Sequence, residues 1–225
     1  MSVNLRLALQ EERADDLVAR VRRLLGPFTG NEAVLDSGCG TGALAFALAP
    51  HVAEVVGVDV RADYLEAARA QAPPNVRFVE GDATALPFGY AEFDIAGCYR
   101  VLHHVRRPEL AMSELARVTR IGGRLLVVDQ LGSVDPLRSL EMDRFEELRD
   151  PTHQRLLPDG DIRGYLDAND LVLISSEVVR ERLDLERRLD LAGFSEEERV
   201  RIRGPAPAAP YEVEVGWYVS RKPGA

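Results

Sequence analysis

The sequence Val34-Leu35-Asp36-Ser37-Gly38-Cys39-Gly40-Thr41-Gly42 joins an apolar strand to three alternate glycines. Without side chains at those three positions, the backbone can turn sharply and lie directly against a ligand. A helix is predicted from Ala43 to Ala49, so the loop lies between a strand and a helix, as in dinucleotide-binding βαβ units. The stretch therefore predicts a ligand-binding loop with an acidic residue at its head.

Short apolar strands alternate with helices along the rest of the chain. Strands are predicted at Ala33–Asp36, Glu54–Val58, Val76–Val79, Phe93–Cys98, Arg124–Val128, Leu171–Val179 and Tyr211–Val219, and further helices at Leu5–Leu25, Arg61–Ala70, Pro108–Thr119, Asp135–Leu148 and Asp159–Ala168. This alternation predicts an α/β fold with a largely parallel sheet covered by helices on both faces. The strict alternation of the last strand is typical of an edge or hairpin strand.

Composition excludes several classes of protein. The chain has 225 residues, 46% of them hydrophobic, and a net charge of −9 with acids and bases interleaved, which does not favour nucleic-acid binding. We expect no membrane span and no signal peptide, because the sequence contains no suitable apolar run. Two cysteines make no disulfide framework, so a cytoplasmic location is expected. Lys222 is the single lysine, and near the C-terminus it suits neither a phosphate loop nor a Schiff base.

Acidic residues follow the next two strands, at the points where each ends. Asp59 ends the second strand and Asp82 follows the third, as Asp36 ends the first, while Cys98 to Arg100 lie at the end of the fourth. Ligands of open α/β sheets bind outside the carboxyl ends of the strands, so these residues should line one crevice. A carboxylate at Asp59 can accept hydrogen bonds from both ribose hydroxyls of an adenosine, and one at Asp82 can accept from its adenine amino group.

The motifs in this order resemble those of class I S-adenosylmethionine (SAM)-dependent methyltransferases of the ubiquinone/menaquinone-biosynthesis type, over about Asn31 to Gln130. The tail, with Asp135-Pro136 and Arg149-Asp150-Pro151-Thr152-His153, resembles a subgroup of small bacterial methyltransferases. The resemblance implies a Rossmann-like fold with seven strands, mostly parallel, and an antiparallel last strand. Ser37 and the turn at 119–123 depart from the family pattern.

The resemblance also implies which residues hold the cofactor. Gly38, Gly40 and Gly42, with Cys39, would approach the methionine part and sugar, and Asp36 would orient the methionine amino group. The remaining implied contacts are Asp59 at the ribose, Asp82 and Ala83 at the adenine, and Cys98 and Tyr99 at the methionine side. Val60, next to Asp59, is also predicted to bind the cofactor. S-adenosylmethionine is the implied cofactor and S-adenosylhomocysteine the product; no metal is expected.

Methyl transfer from a sulfonium is an in-line displacement, so the enzyme mainly positions the reactants and excludes water. A base is needed only where the acceptor atom is protonated near neutral pH. The candidates are His103, His104, His153 and Asp129, and of these we predict His104 and His153 as catalytic. The predicted function is methyl transfer to a small-molecule acceptor.

Three other functions stay open at this point. A nicotinamide-dependent dehydrogenase would use G-x-G-x-x-G rather than the D-x-G-x-G-x-G spacing found here. A non-catalytic module could bind SAM without turning it over, and aminopropyl transfer would use the same cofactor pocket.

We predict one domain over residues 1–225, with an N-terminal helical cap (1–30), a cofactor-binding core (31–130) and a substrate-side insertion with the C-terminal strands (131–225). Leu183–Arg203 is interpreted as a solvated helical excursion or an oligomer contact, consistent with a possible homodimer. Gly204–Pro210 is interpreted as a stiff connector.

Overall fold

A computed structural model describes residues 2–207 and 211–224. The strands are β1 (Ala33–Ser37), β2 (Glu54–Asp59), β3 (Val76–Glu80), β4 (Phe93–Tyr99), β5 (Thr119–Gln130), β6 (Val172–Leu183) and β7 (Tyr211–Arg221). The helices are α1 (Val3–Leu25), α2 (Ala43–Leu48), α3 (Ala62–Arg69), α4 (Pro108–Val118), α5 (Pro136–Arg149), α6 (Asp159–Asp167), α7 (Leu185–Ala192) and α8 (Glu196–Arg203), with short 3-10 turns at Ala49–His51 and Leu102–His104.

The seven strands form one sheet in the order β3-β2-β1-β4-β5-β7-β6. The first five strands are parallel, and β7 is antiparallel to both of its neighbours. The predicted fold class is therefore confirmed. The expected edge position of the last strand is wrong: β7 lies inside the sheet and β6 forms the edge, because β7 pairs along its length with both β5 and β6.

Helices cover both faces of the sheet because successive strand residues point to opposite sides. Val34 and Val55 join an apolar cluster with residues of α1, α2, α5 and α7. Their neighbours Leu35 and Val56 join a second cluster with residues of α4 and α6. The alternation seen in the sequence thus produces two separate cores.

The segment Leu183–Arg203 is more than a solvated excursion. Its helices α7 and α8 bury Arg188, Leu189 and Ile202, and Arg187 of α7 forms an ion pair of 2.5 Å with Glu12 of α1. The predicted connector lies partly outside the described residues, since 208–210 are not among them. Within the described residues, every helix is too short or too polar to span a lipid bilayer.

Strand order places the functional residues. The chain builds outward from β1 through β2 to β3 and then returns to the other side of β1 with β4. A crevice opens where the order reverses, at the carboxyl ends of β1 and β4. The glycine loop follows β1 at this point.

Candidate active site

The glycine loop is held in a conformation that requires glycine. Gly38, Gly40 and Gly42 all have positive φ angles, of 70°, 54° and 94°. A Cβ added to Gly38 would lie 2.4 Å from a methyl group of Val101, whereas one added to Gly40 would meet open space. Gly42 caps α2 in the left-handed conformation and packs against Phe46. Gly40 is thus the member of the three whose missing side chain leaves room for a ligand.

Asp59, at the end of β2, braces this loop. Its Oδ2 accepts a hydrogen bond of 2.8 Å from the Gly40 N–H, and its Oδ1 accepts one of 2.9 Å from the Arg61 N–H. Each carboxylate oxygen keeps a further lone pair. The side chain is therefore fixed in place and still able to accept bonds from a diol.

A cavity of about 470 Å³, here called the outer cavity, opens beside Asp59. Gly38, Gly40 and Asp59 form one side, and Val60, Asp82 and Ala83 form another. Val60 is an apolar side chain left 62% exposed at this site, where the flat face of a base could cover it. Asp82 has its Oδ1 bonded to the N–H and hydroxyl of Thr84, at 2.7 and 2.8 Å.

Asp36 lies behind the glycine loop and lines neither cavity described here. It is 1% exposed, and its Oδ2 accepts a 3.0 Å hydrogen bond from the Ala45 N–H at the start of α2. Its Oδ1 is buried without a partner among the described residues. Burial raises the pKa of Asp36 to about 7, and the charge of Asp59 adds to the increase.

A second, narrower cavity of about 80 Å³, here called the inner cavity, lies beneath α1. It shares five residues with the outer cavity, so the two spaces adjoin; these are Arg6, Gly38, Gly40, Arg100 and His104. Thr41 of the loop donates a 2.6 Å hydrogen bond to Gln10 of α1, which fixes the helix over the cavity.

The predicted residues Cys39 and Tyr99 line the inner cavity, whereas Cys98 is buried and, like Gly42, lines neither cavity. Burial raises the pKa of each thiol well above its ordinary value. Both cysteines are therefore neutral at physiological pH and act as small packing residues.

His103 faces the inner cavity and is oriented by Asp129. Its Nδ1 is hydrogen-bonded to Asp129 Oδ1, and its backbone N–H donates to Oδ2 at 3.2 Å. Burial alone would raise the pKa of Asp129, but the attraction to His103 and the bonds from His103 and the Gln130 N–H keep it below its ordinary value. An ionised Asp129 holds the proton on Nδ1, so the lone pair of Nε2 is the basic position of His103.

His104 is the predicted base that the structure supports least. Its Nε2 accepts from Arg6 at 3.4 Å, and its Nδ1 lies 3.1 Å from the Thr152 hydroxyl. The Thr152 hydroxyl donates in turn to Asp150 at 2.8 Å. Because arginine can only donate, the proton of neutral His104 is on Nδ1 and its lone pair is occupied. Burial, followed by the charges of His103 and Arg6, lowers its pKa to about 3.

His153 is buried at the wall of the inner cavity. Its Nε2 lies 2.8 Å from Asp143 Oδ1, and the same oxygen accepts from the Leu156 N–H. The ring centroid of His153 is 5.8 Å from that of His103. His153 is thus brought to the site as predicted, in a second Asp–His pair. Among residues 2–207 and 211–224, no three His, Cys, Asp or Glu side chains are arranged to hold a metal ion.

Comparison with known proteins fits this geometry. The profile of a methyltransferase-domain family matches residues 35–127. The uncharacterized methyltransferase YcgJ of Bacillus subtilis (strain 168) is 40% identical over 126 residues, which cover 54% of this chain and 50% of YcgJ. Its crystal structure matches with a TM-score of 0.83 at 25% identity, covering 94% of this chain and 100% of that chain.

Two further relatives are similar in sequence. YafE of Escherichia coli (strain K12) is 32% identical over 154 residues, 67% of this chain and 73% of its own. A demethylmenaquinone methyltransferase of Renibacterium salmoninarum is 35% identical over 113 residues, 49% of this chain and 47% of its own. The chain thus spans about half the length of this enzyme and of YcgJ. The chain belongs to the SAM-dependent methyltransferase family.

The residues present in this methyltransferase fit the family's cofactor. The space next to Gly40 is open for the cofactor to pass close to the main chain. Asp59 presents two fixed carboxylate oxygens beside Gly40. The unpartnered Asp36 Oδ1 lies behind the loop and outside both cavities, so its predicted contact with a methionine ammonium group would run through a water. The assignment of individual atoms to Asp36, Asp82, Ala83 and Tyr99 stays a prediction.

Of the arginines at this site, sequence reasoning placed Arg100 at the crevice and missed the other four. Arg6, Arg13, Arg100, Arg149 and Arg188 all line the inner cavity. They come from α1, the end of β4, α5 and α7, so they are brought together only by packing between distant segments. The position of Arg100 directly after β4 was the one available signal, because residues at that place should reach the crevice.

Proposed function

We propose that the protein transfers the methyl group of S-adenosylmethionine to a small-molecule acceptor bound in the inner cavity. The observation that carries the proposal is the junction of the two cavities at Gly38 and Gly40. The outer cavity has the volume and donor set for an adenosine, while the inner cavity adjoins the loop where the methionine part would lie. S-adenosylmethionine, when bound, supplies a methyl group already activated by its sulfonium.

The protein's own residues would bind the cofactor and the acceptor, hold them in the right orientation and exclude water from the reacting atoms. Asp59 would accept bonds from the ribose hydroxyls, and Val60 and Ala83 would pack on the adenine ring. Helix α1, tied to the loop through Gln10 and Thr41, would shield the reacting atoms from solvent. Rigid placement of this kind is the main source of rate enhancement in a displacement on an activated carbon.

The His103–Asp129 pair supports an acceptor whose attacking atom must lose a proton, such as a hydroxyl group. His103 would hold that proton at Nε2 while Asp129 stabilises the resulting cation. His104 would serve instead to position Arg6 and Thr152.

The nature of the inner cavity favours a small polar acceptor. Its volume is about 80 Å³, and half of its lining residues are arginine, histidine or acidic residues. A quinone with a long apolar tail, suggested by the Renibacterium relative's name, matches these walls poorly. The homodimer expected from the sequence stays a prediction.

The test is a calorimetric titration of the wild-type protein with S-adenosylhomocysteine and NAD, followed by a methyl-acceptor screen with S-adenosylmethionine. Binding of S-adenosylhomocysteine without NAD binding, and methyl transfer to at least one small acceptor, is the expected result. Cofactor binding without transfer to any acceptor would instead support the non-catalytic module, and NAD binding alone would support the dehydrogenase.

A further inference from the structure

Arg188 is a buried cation for which the described part of the chain provides no partner. It lies on α7, lines the inner cavity and is only 8% exposed. Across residues 2–207 and 211–224, its guanidinium makes no hydrogen bond or ion pair. Buried charges in folded proteins are normally paired, because removing an ion from water is costly. An unpaired guanidinium at a cavity wall therefore indicates a ligand that pairs with it.

The other arginines of the cavity are already partnered in part. Arg149 is paired with Glu146, which also accepts from Tyr211 at 2.6 Å. Arg13 and Arg100 share a single carboxylate, Glu181, at 3.3 and 2.6 Å. None of these acidic side chains is left over for Arg188.

In the walls of the inner cavity, arginines outnumber carboxylates. Five guanidinium groups lie at its walls, and the carboxylates there are Glu146 and Asp150, with Glu181 behind them. Two further carboxylates nearby, Asp129 and Asp143, are hydrogen-bonded to His103 and His153, and neither forms an ion pair with an arginine of the cavity. Consistent with this excess, burial and then the charges of Arg149, Arg13 and Arg100 lower the pKa of Arg188 to about 9.

The cofactor cannot correct this imbalance. S-adenosylmethionine carries a sulfonium and an ammonium group against one carboxylate, so its binding adds positive charge to the site. Its carboxylate could pair with one arginine, for which Arg13, three residues from the loop-bonded Gln10, is well placed. Arg188, which also lines the cavity, would still be without an anion.

We propose that the acceptor carries an oxyanion, as a carboxylate or phosphate group, and that Arg188 binds this group in the inner cavity. The inference rests on the proposed function and narrows its substrate class to small acidic molecules. The planar guanidinium can donate two parallel hydrogen bonds to either kind of oxyanion. Arg149, whose Nε is buried without a partner, is placed to support the same group.

The experiment compares the wild-type protein with Arg188→Met, which removes the charge and keeps an apolar chain of similar length, and with Arg188→Lys, which keeps the charge. The control is Arg187→Met, an exposed arginine adjacent on the same helix. Each protein is first titrated with S-adenosylhomocysteine. The complexes are then titrated with benzoate and with phenyl phosphate, and with neutral benzamide as the uncharged comparison.

We expect unchanged S-adenosylhomocysteine affinity in all variants. At least one of the two anions should bind the wild-type complex more tightly than benzamide does. Arg188→Met should lose about tenfold to a hundredfold in affinity for that anion, Arg188→Lys should lose less, and Arg187→Met should match wild type. The preferred anion distinguishes a carboxylate acceptor from a phosphate acceptor.

Three results would overturn the inference. The first is wild-type binding of neither anion above benzamide, and the second is anion binding that Arg188→Met leaves unchanged. The third is a loss of S-adenosylhomocysteine affinity in Arg188→Met, which would assign Arg188 to the cofactor carboxylate. Failure of the wild-type protein to bind S-adenosylhomocysteine would instead refute the proposed function, so the two failures are separable.

The melting temperature of Arg188→Met shows whether the variant is folded. We expect it to equal or exceed that of wild type, because a buried unpaired charge is removed.

Discussion

Asp59 Oδ2 accepts a hydrogen bond of 2.8 Å from the Gly40 N–H, which joins the end of β2 to the loop that follows β1. One carboxylate thereby fixes the loop and presents its remaining lone pairs to the same cavity. The glycine loop and the carboxylate, both expected to contact the cofactor's sugar, are thus positioned relative to each other by the protein itself. This arrangement makes separate predictions for the two residues.

Replacing Asp59 by alanine should weaken S-adenosylhomocysteine binding by about tenfold to a hundredfold or more, because charge-assisted hydrogen bonds are worth roughly 1.5–3 kcal/mol each. Isothermal titration measures the effect. Glu66→Ala, which removes an exposed acid from α3 close by in sequence, is the matched control and should bind as wild type does. Equal affinity in the two variants would refute the ribose assignment.

Gly40→Ala should reduce S-adenosylhomocysteine affinity while leaving a folded protein, because the added methyl group would enter the space left open for the ligand. Its backbone strain, about 1 kcal/mol, is matched by Gly30→Ala, where φ is also positive and a Cβ would again meet open space. Both variants should lose similar stability in urea unfolding, and Gly40→Ala alone should lose affinity. Wild-type affinity in Gly40→Ala would place the ligand elsewhere.

Asp36→Asn should change how stability depends on pH. The pKa of Asp36 is raised in the folded protein to about 7, so the folded state holds a proton that the unfolded chain releases above about pH 4. The free energy of unfolding of the wild-type protein should therefore fall by up to roughly 4 kcal/mol as the pH rises from about 4 to 7, because of Asp36. An asparagine side chain cannot ionise, so the variant should be more stable than wild type at pH 8 and similar near pH 4.

Urea unfolding at several pH values measures this difference. A constant difference between the two proteins from pH 4 to pH 8 would show that Asp36 titrates normally. The Asp36→Asn variant should keep the contact with α2, because the amide carbonyl can still accept from the Ala45 N–H.

His103→Ala should slow methyl transfer by about 10²- to 10⁴-fold, the usual contribution of a positioned base, without changing S-adenosylhomocysteine affinity. Asp129→Asn should slow it as well, because an amide no longer fixes the proton on Nδ1. His104→Ala and His153→Ala are the comparisons. We expect a smaller loss in His104→Ala because both nitrogens of His104 already have partners, whereas His153, bonded to Asp143 through Nε2 alone, is the alternative base. A larger loss in either variant than in His103→Ala would move the base to that residue.

The cofactor end of the site could be predicted from sequence because its signals are local. The glycine spacing after β1 and the acids at the ends of β2 and β3 each depend on a few adjacent residues, and parallel strands bring such ends together. The position of β7 could not be obtained in this way. Its alternation shows that one side is buried, but pairing with β5 and β6 is a relationship between segments far apart in the chain.

The choice among the histidines could not be made from the local sequence, for a similar reason. His103 and His104 are adjacent in a 3-10 turn, and only the partners, Asp129 from β5 and Arg6 from α1, distinguish the free lone pair from the occupied one. Arg188 lies in a highly charged segment and resembles its exposed neighbour Arg187. Its burial depends on the packing of α7 against α1, for which the local sequence offers no signal.

The central claim is that this chain binds S-adenosylmethionine in the outer cavity, and thermal unfolding with S-adenosylmethionine, S-adenosylhomocysteine, NAD or no ligand tests it most directly. A ligand present at a hundred times its dissociation constant adds about 2.7 kcal/mol, which corresponds to roughly 5–10 °C for a chain of this size. We predict such a rise with S-adenosylmethionine and S-adenosylhomocysteine and none with NAD. A rise with NAD alone, or with none of the three, would contradict the account.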